Sequence, residues 1–264
     1  VSASPVVGLQ GRSFYALNGD TETGTSSMIS ICTFTGIDAK TDLDRVLALS
    51  EEFPFLEFGV LLSLTPGDKD ARYMAPSVVE LVLKKLASHD VNLALHVCGS
   101  AVNAYVAGDQ VVKRPALYAD RVQLNFSANR VPFTMEELDK AISTAPYKII
   151  TQHFPPNAEL VSALKAKNHQ VLFDLSGGRG IEADAWPDAF ENKATGFAGG
   201  LGPETIDAAL PKILKSSDVG NSWIDMENRV RTNGYLDLDL CEAVAKKVAP
   251  FITYDESARA QIIG

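Results

Sequence analysis

Short apolar runs, each closed by a polar or glycine-bearing turn and followed by an amphipathic stretch, recur along the chain from Met28 onward. Met28 to Cys32 is the first run, and Thr41-Asp42-Leu43-Asp44 then supplies a cap and two acids for a helix reaching about Glu52. Leu56 to Leu62 is the second. A polar loop through Tyr73 follows, and Ser77 with Glu80 at capping-box spacing opens a helix over Val78 to Leu86. Val91 to Cys98 is the third run, with a helix or irregular crossover behind it, and Arg121 to Phe126 is the fourth. Thr134 with Glu137 predicts a second capping box and a helix through about Ile142. Tyr147 to Gln152 is the fifth strand, and after Pro155-Pro156-Asn157 the residues Leu160, Val161 and Leu164 fall at helical spacing. Val171 to Asp174, Gly196 to Gly199 and Ser222 to Met226 complete the strands, and Asp237 to Val248 is the last helix.

Strand, loop and helix alternating in this way build a parallel sheet with helices packed on it. Eight such units predict a closed (β/α)8 TIM barrel, an α/β fold that needs about 250 residues. An open doubly wound sheet is the competitor, but it usually carries its glycine fingerprint after the first strand. Here the glycine loops follow the sixth and seventh strands. Residues 1–27 are rich in Gly, Ser, Thr and Asn without a sustained period. They are expected to form an extension or a cover on one end of a single barrel domain spanning 28–264.

Composition narrows the partners more than the fold. The 264 residues are 46% hydrophobic and 22% charged, which is ordinary for a globular chain with a sizeable core. A net charge of −9 speaks against nucleic acid or an anionic membrane as partner, while leaving room for a local basic pocket. Cys32, Cys98 and Cys241 lack Cys-x-x-Cys spacing, so neither a disulfide framework nor a structural zinc is expected. A reducing, cytoplasmic setting fits that usage. No apolar run reaches the length of a membrane span, and no signal-peptide pattern opens the chain. A monomer or homodimer is expected.

In such barrels chemistry sits at the carboxyl ends of the strands. That rule nominates Cys32, Ser63, His96 or Cys98, Asn125, Gln152 or His153, Asp174, and Asp225 or Glu227. Cys32 and Asp174 end the first and sixth predicted strands and are expected to face each other across the mouth as base and acid. A lone strand cysteine is more often a packed hydrophobe, and an Asp before Ser-Gly-Gly is often a turn residue. Cys32, His96, Cys98 and His153 would make a zinc site only if they converged; ordinary hydrogen-bonded histidines are the simpler expectation.

Several stretches carry a pattern together. They are Ile31-Cys32, Ala71-Arg72-Tyr73, Val122-Gln123-Leu124-Asn125, Asp174 with Gly177-Gly178-Arg179-Gly180 and Trp186, and Ala198 to Glu204. This set resembles the phosphoribosylanthranilate isomerase family, a (β/α)8 enzyme of tryptophan biosynthesis. That family has Ile-Cys-Gly at the end of its first strand, Asp before a Gly-Gly-x-Gly loop at its sixth, and Ala-Gly-Gly-Leu-x-Pro-Glu at its seventh. The resemblance implies an Amadori rearrangement of an N-linked aminoaldose phosphate to an aminoketose, with no metal or cofactor. It implies that Asp174 protonates the ring oxygen and that Cys32 removes the proton from the second carbon. It also implies substrate contacts from Arg72, Gln123, Gly178, Gly199, Gly200 and Asp225, the glycine N–H groups cradling phosphate. Asn228 and Arg229 are added as candidate contacts from this chain's own eighth-strand loop, where Arg229 and Arg231 could hold an anion. The eighth strand departs from the family, which has Asp-x-Ser-Ser-Gly-Val-Glu where this chain has Asp225-Met226-Glu227-Asn228-Arg229-Val230-Arg231. That change motivates a second reading, a regulatory barrel that binds phosphosugars or nucleotides without turning them over. A zinc-dependent hydrolase or lyase is the third.

Overall fold

The computed structural model describes residues 29–64, 70–174, 184–217 and 221–264. Eight parallel strands close into a barrel in chain order. They are β1 (Ile31–Ile37), β2 (Leu56–Ser63), β3 (Asn92–Cys98), β4 (Arg121–Asn125), β5 (Lys148–His153), β6 (His169–Phe173), β7 (Thr195–Phe197) and β8 (Ser222–Met226), with β8 paired back onto β1. Around it lie α1 (Leu43–Glu52), α2 (Pro76–Ala87), α3 (Ser100–Val106), α4 (Gln110–Ala116), α5 (Met135–Ser143), α6 (Leu160–Ala163), α7 (Ile206–Ser216), α8 (Leu238–Val248) and α9 (Glu256–Ile262). A two-stranded hairpin, β9 (Arg231–Thr232) with β10 (Tyr235–Leu236), precedes α8. The predicted TIM barrel is therefore the fold, and the extension expected over 1–27 lies outside the described residues.

Side chains alternate faces along each strand, and the two faces of the barrel differ in chemistry. Outward, Cys32 and Phe34 of β1 and Phe58, Val60 and Leu62 of β2 share one apolar layer with Val79 and Leu83 of α2 and Val244 and Val248 of α8. Inward, the amino-terminal end is apolar: Ile31, Ile150 and Trp223 pack with Ile262 and Ile263 from the α9 segment, which closes the floor. Above it sits a polar layer. Fully buried Arg121 donates to Glu57 at 2.6 and 2.8 Å and to Gln170 at 3.1 Å, and its guanidinium lies 4.3 Å from the Trp223 ring centroid. Gly196 of β7 leaves the space the indole occupies, since a Cβ there would come within 2.2 Å of it.

Three expectations shift. The first strand does not end at Cys32 but runs on through Ile37. Thr33 and Thr35 continue it because both are β-branched and their hydroxyls are hydrogen-bonded inside the barrel. Ser77 is not a cap, because Pro76 takes the first helical position behind Ala75, and Glu80 pairs instead with Arg114 at 2.8 Å. The helix after β5 shrinks to a 3-10 turn over Pro155–Asn157 and the single turn of α6. The capping box of Thr134 and Glu137 forms as the spacing predicted.

Candidate functional site

The carboxyl ends of the strands open into a cavity of about 770 Å³. Asp174, Gln123, Gly199, Gly200, Asp225, Asn228, Arg229 and Arg72, all anticipated from sequence, line it. Gly178 falls outside the described residues. Of the paired nominations, His96 and Cys98 both reach the cavity, Asn125 and Gln152 reach it, and Asp225 and Glu227 both do. Ser63 and His153 are not among its lining residues. The His153 ring instead packs edge-on against Phe173 and Phe190.

Cys32 is the main correction. It is the second residue of β1, near the amino-terminal end of the strand, fully buried in the layer between barrel and helices and not part of the cavity lining. Burial pushes its thiol well above the ordinary range, and the neighbouring Cys241 of α8 adds to this. The expected Cys32–Asp174 pair across the mouth therefore does not form, because Cys32 has the outward parity of β1. With Cys32 outside and His153 turned to the phenylalanines, the proposed zinc ligands do not converge, and the described residues hold no group of three His, Cys, Asp or Glu able to bind a metal.

The inward position near the mouth of β1 belongs to Thr35, followed by Gly36 at φ 116°. The signal for this position in the sequence is Gly36 directly after it. Thr35 Oγ1 donates to Asp225 Oδ1 at 2.9 Å and lies 3.3 Å from His96 Nε2. Gly59 of β2 makes this contact possible: a Cβ there would sit 2.7 Å from Thr35 Oγ1 and 3.1 Å from His96 Nε2.

Two carboxyls face the cavity at one level. The ladder pairs Phe173 with Phe197 and Phe197 with Ile224, so the next residues, Asp174, Ala198 and Asp225, are level across β6, β7 and β8. Two strand spacings put the two aspartate backbones about 10 Å apart, with Ala198 as the residue between them on β7. Asp174 accepts from Gln152 Nε2 at 3.3 Å. Asp225 is pushed up to about 8, chiefly by burial; the Thr35 hydroxyl opposes this, and Glu57 and Glu227 add to it. His96 is lowered to about 3 by burial and by Arg121, so it is a neutral imidazole. Cys98 is raised to about 11 by burial, although Asn125 Nδ2 contacts its sulfur at 3.4 Å, so it stays a thiol at neutral pH.

At the rim, the Arg72 guanidinium bridges Asp70, at 2.5 Å, and Glu227. The Asp70 contact leads in holding Arg72 above its ordinary value, and burial raises Glu227 against the pull of Arg72. Arg130, from the turn after β4, also lines the cavity and makes no ion pair within the described residues; it lies beyond a strand end, where the carboxyl-end rule nominates nothing. Gln123 donates to Asn125 at 2.9 Å while its buried Oε1 has no partner within the described residues. That leaves an unsatisfied acceptor closed off inside the barrel wall, behind the cavity surface.

No protein-family model matches the chain, and no curated protein matches it in sequence. Its fold is similar to that of monomers generated from the dimeric phosphoribosylanthranilate isomerase of Thermotoga maritima, with a TM-score of 0.53 and 15% identity over 84% of this chain and 99% of that one. It is also similar to the phospho-2-dehydro-3-deoxyheptonate aldolase (DAHP synthase) of the same organism, with a TM-score of 0.55 and 12% identity over 86% of this chain and 71% of that one. At these identities the likeness is one of barrel architecture.

Proposed function

We propose that the chain is an acid–base isomerase of the phosphoribosylanthranilate isomerase type, converting an N-linked aminoaldose phosphate to its aminoketose. The observation that carries this is the level pair Asp174 and Asp225, facing one cavity across Ala198. Asp174 keeps the role of general acid, protonating the ring oxygen so that the sugar opens to an imine. Asp225 replaces Cys32 as the base and takes the proton from the second carbon. A carboxyl near 8 is a stronger base than a free carboxylate and is about one-tenth ionised at pH 7. The backbone N–H groups of Gly199 and Gly200, leading toward α7, are the phosphate cradle, and Gln123 forms part of the cavity wall beside the sugar. Arg72 is already shared between two acids, so Arg130 takes the substrate's other anionic charge, with Arg229 also in the cavity wall.

Turnover of phosphoribosylanthranilate by wild type, Asp174→Asn and Asp225→Asn is the test. Each variant should lose on the order of 10²-fold or more in kcat while still binding. Full activity in either would remove the acid–base pair. Wild-type binding without turnover would favour the regulatory barrel instead.

A further inference from the structure

The inner wall holds a hydrogen-bonded chain that the proposed chemistry does not itself require. Thr35 has a single hydroxyl proton and gives it to Asp225 Oδ1, so its contact with His96 must be made by an Nε2–H that donates to Thr35 Oγ1. His96 is thereby fixed in one tautomer, and Arg121 beneath it disfavours the imidazolium. All three side chains are buried, on β3, β1 and β8, and Gly59 keeps the intervening space clear. The chain runs one way, toward the carboxyl, and occupies Oδ1, leaving Oδ2 for the cavity.

We propose that His96 is a positioning residue that acts through the Thr35 hydroxyl to orient the Asp225 carboxyl and to favour its anionic form. The idea deepens the isomerase reading, in which Asp225 is the base, but the network can be tested without any substrate. The charged and titratable groups around Asp225 are Glu57 of β2, Glu227 beyond β8, Arg121 of β4, Asp174 beyond β6 and the Cys32 thiol of β1. Of these, Glu57 and Glu227 oppose ionisation and Arg121 supports it. The His96–Thr35 chain is the neutral contribution that offsets burial.

The experiment is a carboxyl titration of Asp225 by ¹³C NMR on aspartate-labelled protein, the signal assigned by its loss in Asp225→Asn. Wild type is compared with T35V, T35S, H96L and the T35V/H96L double variant. Loss of one hydrogen bond to a charged group should raise the midpoint by about one unit, a tenfold change in proton affinity. T35V should show it in full, H96L should show a smaller rise in the same direction, T35S should titrate like wild type, and H96L should add nothing once Thr35 is Val. An unmoved midpoint in T35V or H96L overturns the proposal, as does an H96L shift of equal size in the T35V background, which would mean His96 acts independently of Thr35. If the midpoints move as expected while phosphoribosylanthranilate is not turned over, the positioning role stands and the isomerase reading falls.

Discussion

A proton-transfer group is useful when its protonation can change near the working pH, and burial among acids gives Asp225 that property. If Asp225 is the base, the protonated form is inactive, so kcat/KM should climb with pH through about 8 and level off above it. A rate that falls across the same interval would make Asp225 the acid and reverse the assignment. Cys32 is at the opposite extreme: a thiol held protonated in an apolar layer has neither the charge nor the access that catalysis needs. Cys32→Ser should leave kcat without the 10²-fold loss expected of a base, and should instead cost about 1–3 kcal/mol of stability for a buried hydroxyl. A kcat loss of that size would reinstate the thiol.

At the scale of elements, function depends on the parity of short strands. A strand shifted by one residue presents its other face, so the extension of β1 past Cys32 exchanges one candidate set for another. Small residues then set what the inner face can hold. Gly59 admits the Thr35–His96 contact and Gly196 admits Trp223, each by lacking a Cβ. Gly196→Ala forces the indole or β7 to move, and overpacking of this kind costs about 1–3 kcal/mol, readable in urea unfolding. Unchanged stability would mean the indole has room to turn aside.

At the scale of the molecule, the barrel is layered from an apolar floor through the buried Arg121–Glu57 pair to the polar mouth. Both members of that pair are fully buried, so removing one charge strands the other in the interior. Glu57→Gln should therefore lower unfolding stability by about 3–5 kcal/mol. The same substitution removes a charge that raises Asp225, and the activity profile should move to lower pH with it. Among the described residues no helix is long and apolar enough to cross a membrane, and the exposed faces of the helices surround a barrel whose chemistry is gathered at one end.

Sequence alone determined the barrel, because eight apolar runs with intervening amphipathic stretches leave few other ways to bury both sheet faces. It also located Asp174 and the Gly199-Gly200 turn, since a residue closing a buried run beside glycines must lie at a strand end. Asp225 was legible as a strand-end candidate and a substrate contact, but not as a base. What the tertiary structure decided was facing and company. Cys32 and Thr35 are three residues apart on one strand and so lie on opposite faces, a difference composition does not register. The chain from His96 through Thr35 to Asp225 joins β3, β1 and β8, and only closure of the barrel, bringing β8 back beside β1, puts those hydroxyl, imidazole and carboxyl groups within hydrogen-bonding reach.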